Sequence, residues 1–320
     1  MTLIAVAADK GAPGVSTTCV ALAAVWPRPV LLAECDPAGG DLVYRFPSAA
    51  GPQLDPQRGL LSLAVAARRG LGSEQVWQHT QKLRGGLDVL VGVVTPEQGV
   101  GLESLWGPMG AAMAGLPQAD VIADCGRIGV DGPHFDLLAH ASMVLLVTRA
   151  RLEEVVRLRE RVTTLGTALA RRDRTPWIGA AVVAPHREFH SAVAEVSAAL
   201  GQQSGGRRTG QAAPRRPGAQ TSYSTDYRPG AGFSAGSGYG GLAGVLGGLA
   251  FEPRSAEQLR GQWGGGLDRS LLIRTARDLA GRISAYLSSG PIPASAGPPG
   301  THNPPSRPAP TPTTPPGGPA

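Results

Sequence analysis

The hydrophobic positions of this chain fall into two kinds of segment that alternate along its first 200 residues. Short runs that are apolar throughout have the length of buried strands, and the segments between them have the spacing of helices. The apolar runs cover residues 2–8, 29–34, 87–93, 119–124, 142–148 and 177–183. The helix-like segments cover residues 16–25, 60–69, 74–83, 101–115, 132–140, 151–171 and 188–200. This alternation predicts an α/β fold with a doubly wound, mostly parallel sheet that helices cover on both faces.

The pattern is interrupted after residue 200 and then resumes. Residues 201–241 consist mostly of Gly, Ser, Gln, Arg and Ala without periodicity, which predicts disorder. The apolar run at 241–253 predicts a last strand, and residues 269–287 predict a final helix. Residues 291–320 contain twelve prolines, which predicts a flexible tail. We therefore expect a single domain made of a core (1–200), a disordered insertion (201–241), a last strand with C-terminal helices (242–290) and a disordered Pro-rich tail (291–320).

The net charge of +6 is concentrated in the interrupting segment. Residues 201–240 carry five arginines and one aspartate, so the rest of the chain is close to neutral. The arginines of 201–228 either bind DNA non-specifically through its phosphates or belong to a soluble spacer. Only two of the 30 basic residues are lysines, Lys10 and Lys82. A lysine inside a glycine-rich loop therefore indicates a position where a slim, flexible ammonium group is needed.

Several features of the sequence indicate the compartment. No apolar run approaches the roughly 20 residues of a membrane span, and no basic stretch precedes the first apolar run as in a signal peptide. The three cysteines lie far apart and lack metal-ligand spacing, which fits a reducing cytoplasm. The stretch HREFH (186–190) has two histidines four residues apart, but its acidic residue is misplaced for the zinc-protease pattern. We expect a cytoplasmic protein without a zinc site.

The stretch DKGAPGVSTT, residues 9–18, connects the first predicted strand to the first predicted helix. Free N–H groups and the helix dipole make such a corner an anion site. The residues able to offer N–H groups are Gly11, Ala12, Gly14, Val15 and Ser16, whereas Pro13 has none. Ser16 occupies the position of a Mg²⁺-binding hydroxyl, and Thr17 follows it. The corner predicts a phosphate-binding loop, with an ordinary glycine-rich turn as the alternative.

The loop matches the general phosphate-binding pattern G-x-x-x-x-G-K-[ST] only in part. Asp9 replaces the first glycine, and Val15 replaces the lysine that would reach the outer phosphates. The stretch KGAPGVSTT instead resembles the deviant phosphate loop KGGxGKTT of the MinD/ParA (SIMIBI) class of P-loop ATPases. In that class the signature lysine, here Lys10, reaches the nucleotide phosphates across a sandwich dimer. The resemblance implies a P-loop NTPase fold with a degenerate Walker A loop.

Two further stretches carry the same resemblance. VLLAECDPAGGDL (30–42) is similar to the first switch of the class, and ADVIADCG (119–126) looks like its second carboxylate motif. The resemblance implies ATP and Mg²⁺ as cofactors, with Asp36 positioning the attacking water and helping Ser16 and Asp124 to hold the metal. It also implies catalytic roles for Lys10 and Asp36. The nucleotide contacts that it implies are Lys10, Gly11, Ala12, Gly14, Val15, Ser16 and Thr17.

The two aspartates have an independent physical argument. If both follow adjacent parallel strands, they lie near the loop at the carboxyl edge of the sheet, where ligands bind. The alternative is that both are ordinary strand-end or N-cap carboxylates. Arg127, close behind Asp124, either contacts phosphate in place of the missing lysine or is a solvated surface arginine.

The departures from the family pattern concern charge and base recognition. Val15 removes a cation from the loop, Glu34 replaces the first switch aspartate, and Ala184 and Pro185 stand where the family often has an asparagine. We therefore expect an ATP-dependent positioning or partitioning protein with weak or slow hydrolysis. The loop also resembles that of the CpaE/TadZ-like branch. The alternative function is therefore a non-catalytic scaffold that localises a Flp-type pilus or secretion machine.

The resemblance also implies partners. A homodimer is expected on nucleotide binding. The charged, amphipathic segment 149–174 is either a solvated helix with ion pairs or a partner surface, because the helices here border the dimer face in this class. A protein partner from partitioning or pilus machinery is expected as well. The Pro-rich, nearly uncharged end lacks the basic amphipathic helix with which MinD proteins bind membrane. We therefore expect no direct membrane helix, and any location at the inner membrane face to depend on partners.

Overall fold

The apolar runs form one sheet in the computed structural model, which describes residues 1–11, 13–129, 131–201, 242–259 and 266–289. The strands are β1 (Leu3–Ala8), β2 (Val30–Glu34), β3 (Gln81–Lys82), β4 (Asp88–Leu90), β5 (Asp120–Arg127), β6 (Met143–Thr148), β7 (Trp177–Ala184) and β8 (Leu242–Ala250). Their order across the sheet is β3-β4-β2-β5-β1-β6-β7-β8. The β3–β4 pair is antiparallel, and the other pairs are parallel. The prediction of a doubly wound, mostly parallel sheet is confirmed.

Helices connect the strands. They are α1 (Val15–Val25), α2 (Leu42–Arg45), α3 (Leu60–Ala67), α4 (Pro96–Val100), α5 (Trp106–Ala114), α6 (Phe135–Leu138), α7 (Leu152–Ala170), α8 (Phe189–Gly201), α9 (Pro253–Leu259) and α10 (Leu271–Ser289). Short 3-10 helices lie at Ser73–His79, Glu103–Leu105, His186–Glu188 and Leu267–Arg269.

Three predicted helices are shorter than expected. The segment predicted as a helix at 74–83 is a 3-10 helix that ends at His79, because Gln81 and Lys82 pair with β4. The predicted helix at 101–115 becomes α-helical only at Trp106, after a 3-10 turn. The segment at 132–140 keeps only the short helix α6, and Pro133 accounts for the exclusion of Gly132 from it.

The two faces of the sheet bury different residues of the same strand. Leu3, Ala5 and Ala7 of β1 contribute to a core under α3, α5, α6, α7 and α8. The alternate residues Ile4 and Val6 contribute to the opposite core, under α1, α9 and α10. This is the period of two that a strand imposes on its side chains. Helix α1, which follows the glycine-rich loop, therefore packs on the face of the sheet that Ile4 and Val6 share.

The amino-terminal edge of the sheet is held by a buried carboxylate at the start of β5. Asp120 is 1% exposed and accepts hydrogen bonds from the Thr2 N–H and hydroxyl, at 3.0 and 2.9 Å. It also accepts from Trp26 Nε1 at 2.9 Å and from Arg28 Nε at 2.8 Å. These contacts fix β1 and the end of α1 to β5 at the edge opposite the glycine-rich loop.

The last strand belongs to the same sheet as the first seven. Strand β8 pairs with β7 from Ile178↔Leu242 to Ala184↔Ala250, and the following helices α9 and α10 contribute to the α1-side core. The predicted disordered insertion at 201–241 and the Pro-rich tail at 291–320 lie outside the described residues, apart from Gly201, which ends α8. The DNA-contact prediction for the 201–228 arginines also falls there.

Candidate functional site

The glycine-rich corner has the geometry of an anion site. Helix α1 begins at Val15, and Gly14 at its N-cap has a φ of 98°, in the left-handed region that favours glycine. No side chain in the described part of the chain caps this helix, so its first N–H groups remain available to a ligand. Ala12, predicted as part of the cradle, is not among the described residues.

This corner opens into a cleft of about 520 Å³ at the carboxyl edge of the sheet. One end is polar and includes Gly11, Gly14, Ser16, Thr17 and Asp36. The other end is largely apolar and is lined by Val183, Leu249, Phe251, Pro253, Ala256 and Leu272, from β7, β8, α9 and α10. A cleft with an anion-binding end and an apolar end fits a ligand that combines phosphates with a flat, weakly polar ring.

The sheet brings the two predicted aspartates together beside the loop. Glu34, two residues before Asp36, pairs with Asp124 across β2 and β5. Asp36 also packs on Gly126, because a Cβ at Gly126 would lie 1.8 Å from Asp36 Oδ2. The Ser16 hydroxyl lies close enough to Asp124 to lower the pKa of its carboxyl group. One hydroxyl and two carboxylates are therefore gathered within one region beside the loop.

The protonation of these aspartates depends on burial. Burial raises the pKa of Asp124 to about 6, whereas the neighbouring Ser16 hydroxyl and a 3.0 Å hydrogen bond from the Gly126 N–H act in the opposite direction. Burial also raises the pKa of Asp36, against a 2.8 Å hydrogen bond from the Ala38 N–H and the nearby Arg127 guanidinium. Both carboxyl groups therefore favour a neighbouring cation more strongly than exposed aspartates do.

This donor set fits Mg²⁺. Mg²⁺ prefers oxygen ligands and commonly takes one or two carboxylates, with water and phosphate oxygens completing its shell. Ser16, Asp36 and Asp124 supply such oxygens. No group of three or more His, Cys, Asp or Glu side chains in the described ranges converges in a way that could hold a metal. The three oxygen donors suit a metal whose remaining positions are filled by water and phosphate oxygens.

Val15 and Lys10 lie in different surroundings. The Val15 side chain is 8% exposed and packs into the α1-side core, so no cation occupies the position of the usual lysine. Lys10 is exposed and does not line the cleft; it borders a small separate depression with Asp9, Thr148 and Arg157. The Lys10 side chain thus lies outside the cleft of its own chain, exposed beside α7.

Two charged residues have partners that sequence reasoning missed. Asp9 Oδ1 accepts a hydrogen bond from Arg161 Nε of α7 at 2.5 Å. Glu34 accepts from the N–H groups of Asp41 and Leu42 at 2.9 Å and of Gly92 at 3.0 Å. Burial raises the pKa of Glu34 to about 7, although these three donors lower it. Glu34 therefore anchors the loop that carries Asp36. Its own side chain does not line the cleft.

Three arginines line the cleft, namely Arg45, Arg127 and Arg149. The sequence singled out only Arg127, because its neighbour Asp124 marked that strand end. Arg45 and Arg149 carried no such signal, since their approach to the cleft depends on how α2 and the end of β6 pack. The cleft wall therefore contains guanidinium groups, beside the carboxylates of Asp36, Asp41 and Glu252, although the loop itself has lost its lysine.

The comparisons with known proteins agree with this architecture. No protein-family model and no curated protein sequence matches the chain. Among solved structures, a variant of McdA from Cyanothece in complex with ATP is 14% identical with a TM-score of 0.57, covering 89% of this chain and 96% of that one. A ParA family ATPase from Chlorobium tepidum is 16% identical with a TM-score of 0.53, covering 87% and 98%. The septum site-determining protein MinD of Pyrococcus horikoshii, complexed with Mg-ADP, is 13% identical with a TM-score of 0.52, covering 88% and 95%.

The fold is therefore that of the MinD/ParA class of P-loop ATPases, as the motif resemblance implied. Identities this low support the fold alone, and they leave the CpaE/TadZ-like branch a prediction. In the described part of the chain, no helix is long and apolar enough to cross a membrane.

Proposed function

We propose that this chain binds ATP with Mg²⁺ in the cleft and uses the bound nucleotide as a switch that holds two copies of the chain together. The observation that carries the proposal is the uncapped start of α1, which opens into a cleft with a polar and an apolar end. Structural neighbours of the same fold include one solved with ATP and one with Mg-ADP, which supports this choice of ligand.

Each residue of the polar end has a defined task in this proposal. The N–H groups at Gly11, Gly14, Val15 and Ser16 bind phosphate oxygens, with Ala12 and Thr17 in the same loop. Mg²⁺, when bound, would neutralise phosphate charge, and Ser16, Asp124 and Asp36 are the residues that would hold it. Asp36 also orients a water molecule toward the outer phosphate. The apolar end, with Leu249 and Phe251, holds the base.

The exposed Lys10 supports a dimer. Its ammonium group borders no part of its own cleft, so it is available to reach a ligand held by a second copy. The nearby face of α7 exposes Leu152 (81%) and Val156 (45%), which a second copy would cover. Lys10 of each copy then contributes to the neighbouring site, and ATP stabilises the pair.

A second candidate is a non-catalytic scaffold of the same fold, as expected for the localising proteins of Flp-type pili. The buried Val15 favours it, because the position that normally supplies a cation to the outer phosphates is part of the core. Catalysis of phosphoryl transfer depends mainly on placement and charge neutralisation, so hydrolysis should be slow in either case. The two candidates differ in whether nucleotide changes the assembly state.

Titration of the purified full chain with Mg·ATP tests the proposal, with calorimetry for binding and analytical ultracentrifugation for mass. We expect saturable binding and an ATP-dependent shift from monomer to dimer. Lys10→Ala should abolish the shift while leaving binding to the monomer, and Lys82→Ala is the matched control for loss of a lysine. Absence of ATP binding contradicts the proposal, and binding without a change of mass favours the scaffold.

A further inference from the structure

The pairing of β1 with β5 contains an irregularity at the edge of the cleft. Val6 pairs with Asp124, but Ala8 pairs with Arg127, so two steps along β1 match three steps along β5. The extra residue lies at Cys125–Gly126, where Gly126 has a φ of 56°. This is a β-bulge, a feature that often re-aims a side chain beside a functional site.

The bulge decides which face of the sheet Arg127 occupies. Side chains alternate along a strand, so without an inserted residue Arg127 would face away from Asp124. With the bulge, Asp124 pairs with Val6 and Arg127 pairs with Ala8. Val6 and Ala8 both face the α1-side core. Arg127 therefore shares the face of Asp124 and lies opposite Ala8, the last residue before the glycine-rich loop. A 2.9 Å hydrogen bond from the Ile128 N–H to the Ala8 carbonyl oxygen fixes this arrangement.

Arg127 differs from the other cleft arginines in how its charge is engaged. Arg45 forms an ion pair with Asp41, four residues earlier, and Arg149 approaches Glu154 at 3.9 Å. Within the described ranges, no carboxylate lies within ion-pair distance of Arg127, and its side chain is exposed on the cleft wall. The guanidinium lies near enough to Asp36 to lower the pKa of that carboxyl group, but because it forms no ion pair with a described carboxylate it can still contact an anionic ligand that enters the cleft.

We propose that Arg127 binds phosphate oxygens of the ligand and supplies in cis the positive charge that Val15 removed from the loop. The inference deepens the proposed function and rests on it. A guanidinium is well suited to the task, because it offers two parallel N–H donors to one phosphate and remains charged at every physiological pH. The cation has moved from the start of α1 to the end of the neighbouring strand β5.

The test measures binding of Mg·ATP, of Mg·tripolyphosphate and of adenosine by calorimetry. The variants are Arg127→Ala, Arg127→Lys, the double variant Val15→Lys with Arg127→Ala, and the control Arg45→Ala, which removes an arginine from the same cleft. Losing a charge-assisted phosphate contact should weaken Mg·ATP and tripolyphosphate binding about 10- to 100-fold and reduce the dependence of affinity on salt. Adenosine binding should not change. Arg127→Lys should keep part of the affinity, and Val15→Lys in the double variant should restore much of it.

The outcomes separate the two proposals. If the parent chain binds Mg·ATP and Arg127→Ala binds it as well as the parent, or no worse than Arg45→Ala does, the assignment of Arg127 is wrong and the ATP site stands. If the parent chain binds neither Mg·ATP nor tripolyphosphate, the proposed function fails and the assignment fails with it. Because Arg127 is exposed, the single variants should fold normally. The decision therefore does not depend on the folding of the Val15→Lys variant.

Discussion

Asp9, the first residue of the glycine-rich loop, is paired through its Oδ1 atom with Nε of Arg161, at a distance of 2.5 Å and across 152 residues of sequence. Both side chains are mostly buried, at 18% and 22% exposure. An unpaired carboxylate at the start of a phosphate-binding loop would repel its ligand. Arg161 on α7 therefore neutralises an acid that stands where the usual loop has a glycine. The same ion pair connects the loop to the helix that borders the proposed dimer face.

This pair predicts a compensating mutation. Arg161→Gln should weaken Mg·ATP binding severalfold, because it leaves the Asp9 carboxylate uncompensated beside the phosphates. Asp9→Asn combined with Arg161→Gln should restore the affinity, with a coupling free energy of about 1 kcal/mol in the double-mutant cycle. Calorimetric titration measures both, and Arg171→Gln is the control for charge lost at the far end of the same helix. Equal weakening by the single and double variants would show that the Asp9 charge has no influence on the ligand.

The bulge at Gly126 predicts a second effect. Gly126→Ala places a methyl group in a left-handed conformation and within 1.8 Å of Asp36 Oδ2. Gly70 is the matched control, because it has a φ of 94° and nothing within 4 Å of its would-be Cβ. We expect Gly70→Ala to lower the free energy of unfolding by about 1 kcal/mol through the backbone alone. Gly126→Ala should cost about 2 to 3 kcal/mol and also weaken Mg²⁺-dependent ligand binding, as measured by denaturant titration and calorimetry. Equal costs for the two variants would mean that Asp36 moves aside freely.

The parts of the fold that the sequence could predict are those encoded by local pattern. Strands such as β1, β6 and β7 are short, continuous apolar runs. The glycine-rich loop lies between one such run and a segment with helical spacing. Strand β3 could not be found in this way, because its two residues are held only by β4 and carry no apolar signal of their own. The segment 74–83 is therefore predicted to be helical throughout, although its last residues pair with β4.

The loop and its candidate carboxylates could be proposed from the sequence, whereas the arginines that lie near them could not be placed. Ser16 lies in a recognisable loop motif at the start of the first helix, and Asp36 and Asp124 lie in motifs at the ends of apolar runs. Arg161 is one charged residue among many on α7, and only the packing of α7 places it against Asp9. The face that Arg127 occupies depends on a bulge, and a one-residue irregularity in strand register leaves no trace in hydrophobic periodicity.

His134 predicts how stability depends on pH. This side chain is 2% exposed, packs edge-on against Trp106 and has its pKa lowered by burial from 6.5 to about 4. The folded state therefore holds a neutral imidazole, whereas the unfolded chain takes up a proton as the pH falls below about 6.5. Its contribution to stability is complete above that pH and decreases as the pH falls toward 4. The loss amounts to about 3 kcal/mol, from 1.36 kcal/mol per pKa unit.

His134→Leu should remove this part of the pH dependence. The free energy of unfolding is measured in denaturant at several pH values. The difference between the variant and the parent chain should shift in favour of the variant as the pH is lowered from about 8 to about 5. The comparison at about pH 8 reports the packing change alone, because both states are then neutral at this position. Parallel curves for the two proteins over this range would contradict a buried neutral imidazole.

Asp120 predicts a loss of stability that leaves the ligand site intact. It accepts four hydrogen bonds, from the N–H and hydroxyl of Thr2, from Trp26 Nε1 and from Arg28 Nε. Asp120→Ala leaves buried donors without an acceptor and should cost about 3 kcal/mol in the free energy of unfolding. Asp88→Ala is the matched control, because its 2.7 Å ion pair with Lys82 is partly exposed to solvent and should contribute less than about 1 kcal/mol.

The position of Asp120 separates stability from binding. Asp120 begins β5 and Arg127 ends it, so the two residues lie at opposite edges of the sheet. At a temperature where the Asp120→Ala protein is still folded, Mg·ATP affinity should therefore equal that of the parent chain, because additivity holds for distant sites. Thermal unfolding and calorimetry on the same preparation check both statements. A large loss of affinity with an unchanged fold would mean that the amino-terminal edge helps to set the geometry of the cleft.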